Sequence, residues 1–451
     1  MNATHLAGLA IIVVAVVAVV RRLEVRLVLL LAALALGAVA GDVPVIFRTF
    51  LATLTKEQFV VPICCAMGFA YVLRHTGCDQ HLVQLLVRPL RHGGGFLIPG
   101  AVLVGFLVNI PIISQTSTAV AIGAVLVPLL RAARISAVTT GAALLLGSSL
   151  GGELLNPGAP ELITVSTSLK VEPSACVVSN APLLLLHLVT ATLLFWLISL
   201  RAERRQEKEL ELHPSPMPEE QESPPFRVNV LKALVPLVPL GLLFLTALPG
   251  LQLLHVPHDW LVPAEEDEAF GTRLIGAAML VGAVIAALVS FRRAAGAAKA
   301  FFEGAGYAFA HIISLIVTAQ CFGKGVELIQ LDALMGQIIN TSRPLLIASS
   351  GLVPMAFAFI SGSGYAATQS LFRLFVDPAN ELGVNPIRIG SVVSLGAAAG
   401  RTMSPVAAVV LMCASMTETN PVALIRRVAV PLLIGMTIVV AVALLMATAA
   451  I

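Results

Sequence analysis

Two similar stretches of sequence decide the fold: GSSLGGELLNP at residues 147–157 and GAAAGRTMSP at residues 396–405. In each, a glycine-rich apolar run ends at a polar residue that is followed by proline. Glycine removes side-chain bulk, and proline lacks the N–H donor that a continuing helix needs. Each stretch is therefore predicted to form a helix that breaks and restarts within a long apolar segment.

The composition of the whole chain is that of a membrane protein. Of 451 residues, 58% are hydrophobic and 12% are charged, against about 25% charged in an average soluble chain. Only helices satisfy the backbone hydrogen bonds of such segments inside a bilayer, so we predict an all-α polytopic membrane protein. A net charge of +3 without a concentrated basic face argues against a nucleic-acid partner. Six cysteines without CxxC or Cys/His spacing indicate neither a disulfide framework nor a zinc site.

The apolar runs predict about ten transmembrane helices and two shorter insertions. A span needs roughly 20 apolar residues, which places crossings near 6–20, 27–46, 59–74, 137–160, 181–200, 229–250, 273–290, 305–328, 384–415 and 422–450. Two further stretches, 96–130 and 345–376, are too long for one span and too short for two, and a Ser/Gly/Thr cluster interrupts each. We predict that both form re-entrant hairpins.

The positive charges orient this arrangement. If the chain begins outside, 19 of the 28 Lys and Arg residues lie on one face, as expected for cytoplasmic loops. Both termini are then outside, hairpin 96–130 enters from the cytoplasm and hairpin 345–376 from the outside. The predicted parts are an extra span at 1–26, a first repeat at 27–200, a polar cytoplasmic linker at 201–228, a connecting span and outer loop at 229–272, and a second repeat at 273–451.

The two halves are related by an internal repeat. Ile113-Ser114 aligns with Ile360-Ser361 at an offset of 247, and Asn156-Pro157 aligns with Ser404-Pro405 at an offset of 248. Five predicted spans separate the hairpins, and an odd number turns the second copy upside down. Repeat parity and charge bias thus both predict the inverted topology that many secondary transporters use.

The hairpin tips and helix breaks supply the candidate substrate-binding residues. Half-helix N-termini attract carboxylates, and hydroxyls add neutral donors, although small residues also serve close helix packing. The predicted set is Ser114, Gln115, Thr116, Ser117, Thr118, Asn156, Ser361, Gly362, Ser363, Gly364, Arg401, Thr402 and Ser404. Glu153, Asn156 and Ser363 are candidates for a coupling ion, and the position of a sodium site is left open.

Glu153 and Arg401 occupy nearly equivalent repeat positions deep within predicted spans. An ionisable residue there is costly and is by default a functional hypothesis. Arg401 either binds a substrate carboxylate through its planar fork or pairs with Glu153 as a structural ion pair. Glu153 either binds a proton or cation or only neutralises the arginine. His311, in another span, is interpreted as a packing residue.

The motifs NIPIISQTSTAVAIGAVLVPLL, FISGSGYAATQSLF and GRTMSPVAAV resemble the anaerobic C4-dicarboxylate carrier family of the DcuC type. The resemblance covers most of the chain outside the linker. It implies a scaffold and a mobile transport domain, elevator-like alternating access and a homodimer in the bacterial inner membrane. It also implies succinate, fumarate or malate as substrates, coupled to H+ or Na+ or moved by exchange. In related sodium symporters the tips carry Ser-Asn-Thr motifs, which this chain lacks.

Other functions are weighed against this one. The alternative within transport is a cation/proton antiporter, or a carrier of another organic anion or amino acid on the same architecture, and Arg401 favours an anion. An intramembrane serine hydrolase using Ser363 is disfavoured because no histidine follows His311 to act as a base. No GxxxxGK[ST] loop is present for ATP-driven pumping. We expect no enzymatic activity and no resident cofactor.

Overall fold

A computed structural model describes residues 3–21, 23–92, 96–212, 227–247, 253–262, 270–330 and 342–448. These residues form helices joined by short turns, and no strand occurs among them. Within this described part, nine helical segments are long and apolar enough to cross a membrane. The predicted all-α polytopic fold is confirmed.

The helices are numbered here in chain order. The first ten are α1 Ala3–Val20, α2 Val25–Ala40, α3 Val43–Leu54, α4 Glu57–Thr76, α5 Cys78–Val87, α6 Leu97–Asn109, α7 Gln115–Ala132, α8 Ala137–Ser149, α9 Pro160–Leu169 and α10 Pro173–Leu212. The next five are α11 Val230–Leu234, α12 Val238–Ala247, α13 Phe270–Val289, α14 Ala297–Ala308 and α15 Ser314–Leu328. The last six are α16 Arg343–Ser361, α17 Gly364–Leu371, α18 Val376–Glu381, α19 Pro386–Met403, α20 Ala408–Thr417 and α21 Pro421–Thr448.

The helices pack in three connected groups. Helices α4, α13 and α14 pack together, and α2, α3 and α15 form a second group. The third group contains the hairpin helices α6, α7, α16 and α17, the interrupted helices α8 and α19, and the long helices α10 and α21. Helix α15 contacts α17, and α4 contacts α9, so the first two groups border the second hairpin and the first helix break.

The two halves repeat the same order of elements. Four pairs of helices begin 249 or 248 residues apart: Gln115 and Gly364, Ala137 and Pro386, Pro160 and Ala408, and Pro173 and Pro421. Between α8 and α9 the chain forms a short 3-10 turn, and between α19 and α20 it is non-helical over 404–407. The interruptions predicted from the glycine and proline pattern are thus present. The inverted orientation and the re-entry of the hairpins remain predictions.

The predicted span 27–46 is wrong as one continuous helix. Gly41 adopts a left-handed conformation, with φ of +79°, and closes α2. The side chain of Asp42 then caps α3 by accepting a hydrogen bond from the Val45 amide. Asp42 therefore starts a second helix at this point, because aspartate satisfies a free N-terminal amide.

The first residues of the predicted linker 201–228 are helical. Helix α10 continues through the charged residues as far as Leu212, because Glu, Arg, Lys and Leu are good helix formers. Glu203 accepts hydrogen bonds from the backbone and hydroxyl of Ser136 and from the hydroxyl of Thr139, so this part of α10 is docked onto α8. The rest of the predicted linker, 213–226, lies outside the described residues, as do 248–252 and 263–269 of the connecting segment.

Candidate functional site

The tip of the first hairpin, between α6 and α7, is built from short polar side chains. The hydroxyl of Ser114 caps α7 by accepting a hydrogen bond from the Ser117 amide at 3.3 Å. Asn109 and Thr118 both donate to the carbonyl of Ile112, at 3.1 and 3.0 Å. These bonds hold the turn so that the N-terminal end of an 18-residue helix begins at Gln115.

The second tip, between α16 and α17, uses a glycine and a serine in the same way. Gly362, with φ of +72°, ends α16 in the left-handed region. The hydroxyl of Ser363 then caps α17 through the Ala366 amide at 3.1 Å. Gly364 lies so close to the guanidinium of Arg401 that a Cβ added there would be 3.1 Å from Nη1. The second tip therefore rests on the arginine of α19.

The two helix breaks differ in their hydrogen bonding. In the first, the side-chain Nδ2 of Asn156 donates to the Ile110 carbonyl at 2.9 Å, which ties the break to the end of α6. In the second, the hydroxyl of Ser404 accepts from the Val406 amide at 3.3 Å. The helices that restart, α9 and α20, have alanine at the cap position and no side-chain cap bond. Their first N–H groups are therefore available to other acceptors.

Arg401 and two glutamates meet between the breaks. Nη2 of Arg401 donates to Oε1 of Glu153 at 2.8 Å, and Nη1 lies 3.6 Å from Oε1 of Glu161. The exposed fraction of these side chains is 5% for Arg401, 0% for Glu153 and 2% for Glu161. The ion-pair alternative for Arg401 and Glu153 is therefore the arrangement present here. Two buried carboxylates share a single guanidinium.

Hydrogen bonds from both halves fix the orientation of this cluster. Gln115, at the first tip, donates to Oε1 of Glu153 at 2.9 Å and to the hydroxyl of Tyr365 at 3.3 Å. Arg401 also donates to the backbone carbonyl of Ser149 at 3.2 Å, and Thr402 donates to the same carbonyl at 2.8 Å. Helices α7, α8, α17 and α19 are thus connected through polar side chains that are mostly buried.

A cavity of about 240 Å³ lies against one side of the cluster. Both tips line it, together with Arg401 and the first residues of α20. The opposite wall comes from α4, α14 and α15 and includes Tyr307 and His311. The cavity therefore joins two helix N-termini, a guanidinium and a partly aromatic wall.

Seven of the thirteen predicted binding residues line this cavity: Ser114, Gln115, Thr116, Gly362, Ser363, Gly364 and Arg401. The other six do not: Ser117, Thr118, Asn156, Ser361, Thr402 and Ser404. Apart from Ser117, their side-chain polar atoms form hydrogen bonds with backbone groups. They lie at turns and breaks, where unpaired backbone groups need local partners. Asn156 and Ser404, for example, each accept a hydrogen bond from an amide two residues later.

Glu161 is the functional candidate that the sequence analysis missed. The predicted span 137–160 ends one residue before it. The structure restarts a helix at Pro160 and runs it to Leu169, which places Glu161 in a buried first turn. The signal available was an acidic residue directly after a proline that follows a predicted break.

His311 and Tyr365 were also not assigned to the site. His311 lies in a π-helical turn, Phe309–Ile313, and its ring stacks on Tyr307 with centroids 4.1 Å apart. Single π-helical turns are often found at functional sites. The interpretation of His311 as a packing residue does not fit its exposed position on the cavity wall.

No group of three or more His, Cys, Asp or Glu side chains that could hold a metal ion occurs within the described ranges. The donor atoms around the cavity are mainly hydroxyls, an amide and a guanidinium. Such groups are suited to an anionic organic ligand because they donate hydrogen bonds.

Comparisons with known proteins identify relatives of this chain. Residues 49–448 match the family model described as DcuC, C4-dicarboxylate anaerobic carrier. The chain is 24% identical to the anaerobic C4-dicarboxylate transporter DcuC of Escherichia coli over 83% of this chain and 77% of that one. It is also 37% identical to an uncharacterised transporter of Haemophilus influenzae over 27% of this chain and 84% of that one.

Solved structures share the fold. The YdaH transporter of Alcanivorax borkumensis matches with a TM-score of 0.60 and 18% identity over 92% of this chain and 96% of that one. MtrF of Neisseria gonorrhoeae matches with a TM-score of 0.56 and 14% identity over 89% of this chain and 84% of that one. The family match spans most of the sequence and includes both hairpins and both breaks. The resemblance is confirmed, and the chain belongs to the DcuC family of C4-dicarboxylate anaerobic carriers.

Proposed function

We propose that this protein is a secondary carrier that binds C4-dicarboxylates such as succinate, fumarate or malate in the cavity between the two hairpin tips. The observation that carries the proposal is the Nη1 atom of Arg401. It belongs to a cavity-lining residue, and among the described residues it has no hydrogen-bond partner. A guanidinium N–H without a partner is a strong donor for a carboxylate oxygen.

The second carboxylate of such a substrate has further donors in the cavity lining. Ser114, Thr116 and Ser363 bring hydroxyls to the lining. Helices α7 and α17 begin beside these residues, and the N-terminus of a helix favours negative charge. Two separate donor groups suit an anion with a carboxylate at each end.

The buried arginine also bears on the transport alternatives. A bare cation bound in this cavity would lie beside the positively charged guanidinium of Arg401, and like charges repel. This observation favours an organic anion over a cation/proton antiporter. A different organic anion would use the same guanidinium, so the substrate screen below includes other carboxylates.

The transport cycle is proposed from the helix groups. Helices α4, α13 and α14 would form the scaffold, and the hairpins with their broken helices would move as one transport domain. The contacts of α4 and α15 with α9 and α17 lie along the border between the two parts. We further propose a homodimer in the bacterial inner membrane, with both termini outside, and coupling to H+ or Na+ or exchange.

Counterflow tests the substrate. Purified protein is reconstituted into vesicles preloaded with unlabelled succinate, and uptake of labelled succinate is followed with and without imposed Na+ or H+ gradients. We expect transient accumulation of label. Folded protein that shows no counterflow with succinate, fumarate or malate, but exchanges another organic anion or Na+ for H+, would contradict the proposed substrate class.

Substitution of Arg401 tests the site. We expect Arg401→Ala to abolish counterflow and Arg401→Lys to restore little of it, because lysine keeps the charge but loses the planar fork. Arg292→Ala serves as the control, since Arg292 is exposed and lies away from the cavity. An Arg401→Ala protein with unchanged KM and rate would exclude Arg401 from substrate binding.

A further inference from the structure

The charge count around Arg401 does not balance. Glu153 and Glu161 bring two carboxylates, while Arg401 is the one cation that forms ion pairs with them in the described chain. Both carboxylates are almost fully buried, and the Oε2 atom of each has no hydrogen-bond partner among the described residues. An uncompensated charge buried in the protein is strongly unfavourable. A bound proton on one carboxylate removes this cost.

The two carboxylates are held differently. Oε1 of Glu153 accepts hydrogen bonds from Arg401 and from Gln115, at 2.8 and 2.9 Å. Oε1 of Glu161 is 3.6 Å from Nη1 of Arg401, which is beyond a hydrogen bond. Hydrogen bonds to a carboxylate stabilise its ionised form. Glu153 is therefore the ionised partner of Arg401, and the proton belongs on Glu161.

The surroundings of Glu161 can accept such a proton. Gln369, on the neighbouring α17, donates to the carbonyl of Pro160 at 3.3 Å, next to Glu161 in the chain. Among the residues that the structure describes, the acceptor atom of Gln369, Oε1, has no hydrogen-bond partner, and neither does the hydroxyl of Thr368 on the same helix. A protonated glutamate adds an O–H donor to a region where buried acceptor capacity is unused.

Helices α4, α10, α17 and α19 pack against α9. The ionisable groups that act on Glu161 are Glu153, Arg401 on α19 and Tyr365 on α17. The other ionisable residues in the described parts of α4 and in α10 up to 204 are Glu57, Cys64, Cys65, Tyr71, Arg74, His75, Cys176, His187, Arg201, Glu203 and Arg204. Of the glutamates among these, Glu57 pairs with Arg273 and Glu203 binds Ser136 and Thr139, both away from Glu161.

Building on the proposed function, we propose that Glu161 binds the coupling proton and that ionised Glu161 competes with a substrate carboxylate for Nη1 of Arg401. A proton from solvent adds to a carboxylate oxygen of Glu161, which becomes neutral and gives up its attraction for Nη1. The substrate carboxylate then takes that donor, while Glu153 keeps Nη2. Release of substrate and loss of the proton return Glu161 to Arg401. Each dicarboxylate therefore travels with one proton at this site.

Linkage makes this proposal quantitative. If one proton must bind with the substrate, apparent succinate affinity falls by about tenfold per pH unit once Glu161 is ionised. The measurement is made above the pH at which succinate itself takes up a proton. Wild-type protein should show this slope, and Glu161→Gln, which mimics the protonated state, should bind succinate with no such slope.

The test uses the full chain in vesicles. We expect Glu161→Gln to retain succinate counterflow and to lose accumulation driven by a proton gradient, whereas Glu161→Asp, which keeps a carboxyl group, should respond to the gradient. Glu418→Gln, an exposed acid at the end of α20, should behave as wild type. A Glu161→Gln protein that still accumulates succinate in response to the proton gradient overturns the proposal.

A second measurement covers a variant that fails to fold. Calorimetric titration of wild-type protein with succinate in two buffers of different ionisation enthalpy gives the number of protons taken up, for which we expect about one. Zero uptake overturns the assignment of Glu161 while leaving a succinate carrier in place. Absence of succinate counterflow in folded wild-type protein overturns both the proposed function and this inference.

Discussion

Each half of the molecule contains a hairpin followed by a helix that breaks and restarts, and the two breaks carry different residues. The first break has Glu153 in its 3-10 turn and Glu161 at the start of α9. At the equivalent places the second half has Arg401 and Val409. The acids thus come from one half and the base from the other, and the ion pair at 2.8 Å joins the two halves.

The backbone at the two breaks is also not identical. Helix α8 ends at Ser149, and Gly151, with φ of +110°, turns the chain into the 3-10 segment before Asn156. Helix α19 continues as far as Met403 and stops only at Ser404. The extra glycine in the first half therefore breaks the helix earlier. Glu153 therefore lies in the 3-10 turn, whereas its ion-pair partner Arg401 lies within α19.

Exchanging the charges of Glu153 and Arg401 is the strongest test of the difference between the two breaks. Glu153→Arg alone and Arg401→Glu alone each leave like charges buried together, so we expect either to lower the free energy of unfolding by at least about 3–5 kcal/mol. The double variant restores an ion pair and should recover part of that loss. Transport should stay absent, because the cation has moved away from Glu161 and the cavity wall. Thermal unfolding and succinate counterflow measure the two effects.

A double variant no more stable than the worse single variant would show that the two positions are not interchangeable within this backbone. Recovery of counterflow in the double variant would contradict the view that the cation must come from α19. Arg292→Ala, exposed and distant, controls for loss of a positive charge.

Close helix packing provides the next comparison. A Cβ added to Gly396 would be 2.2 Å from the Gly351 carbonyl oxygen, and one added to Gly147 would be 2.9 Å from that of Val102. Both contacts are with rigid backbone, so we expect Gly396→Ala to destabilise by the upper part of about 1–3 kcal/mol and Gly147→Ala by less. Gly323→Ala on α15, which meets nothing within 4 Å, should have little effect. Equal melting temperatures for all three would refute this packing argument.

Much of this arrangement was predictable from the sequence. The glycine and proline pattern predicted both breaks, and the Ser/Thr/Gly clusters predicted both tips, because these residues act through local backbone geometry. Arg401 and Glu153 could be identified because charged residues in apolar segments are rare. Their pairing was one of two alternatives, since a sequence does not state which charges meet in space.

What the sequence did not predict depends on tertiary structure. Glu161 was missed because the end of a span was placed one residue before it. Tyr365 and His311 are far apart in the sequence, and both line the cavity only because tertiary packing brings their helices together. The long extension of α10 was read as a linker because charge suggests solvent, whereas the same residues have high helix propensity. Glu203 found partners on α8 that no local pattern reveals.

The smallest effects are expected at the two tip caps, where the halves are most alike. Ser114→Ala and Ser363→Ala each remove a hydroxyl that accepts a hydrogen bond from an amide three residues later. Loss of an N-cap costs about 1 kcal/mol. The cost should matter more for α17, which has 8 residues, than for α7, which has 18. Ser342→Ala, which removes the equivalent cap of α16 away from the cavity, is the matched control.

A purely structural cap and a cap that also binds substrate give different kinetics. If the tip hydroxyls contact a substrate carboxylate, Ser114→Ala and Ser363→Ala raise the KM for succinate, while Ser342→Ala changes only the melting temperature. Replacement by threonine keeps a hydroxyl and should keep the KM close to wild type. A raised KM in one tip variant alone would mean that the second carboxylate is bound by one half of the molecule. The two tips would then be similar in backbone structure but would differ in their contacts with the substrate.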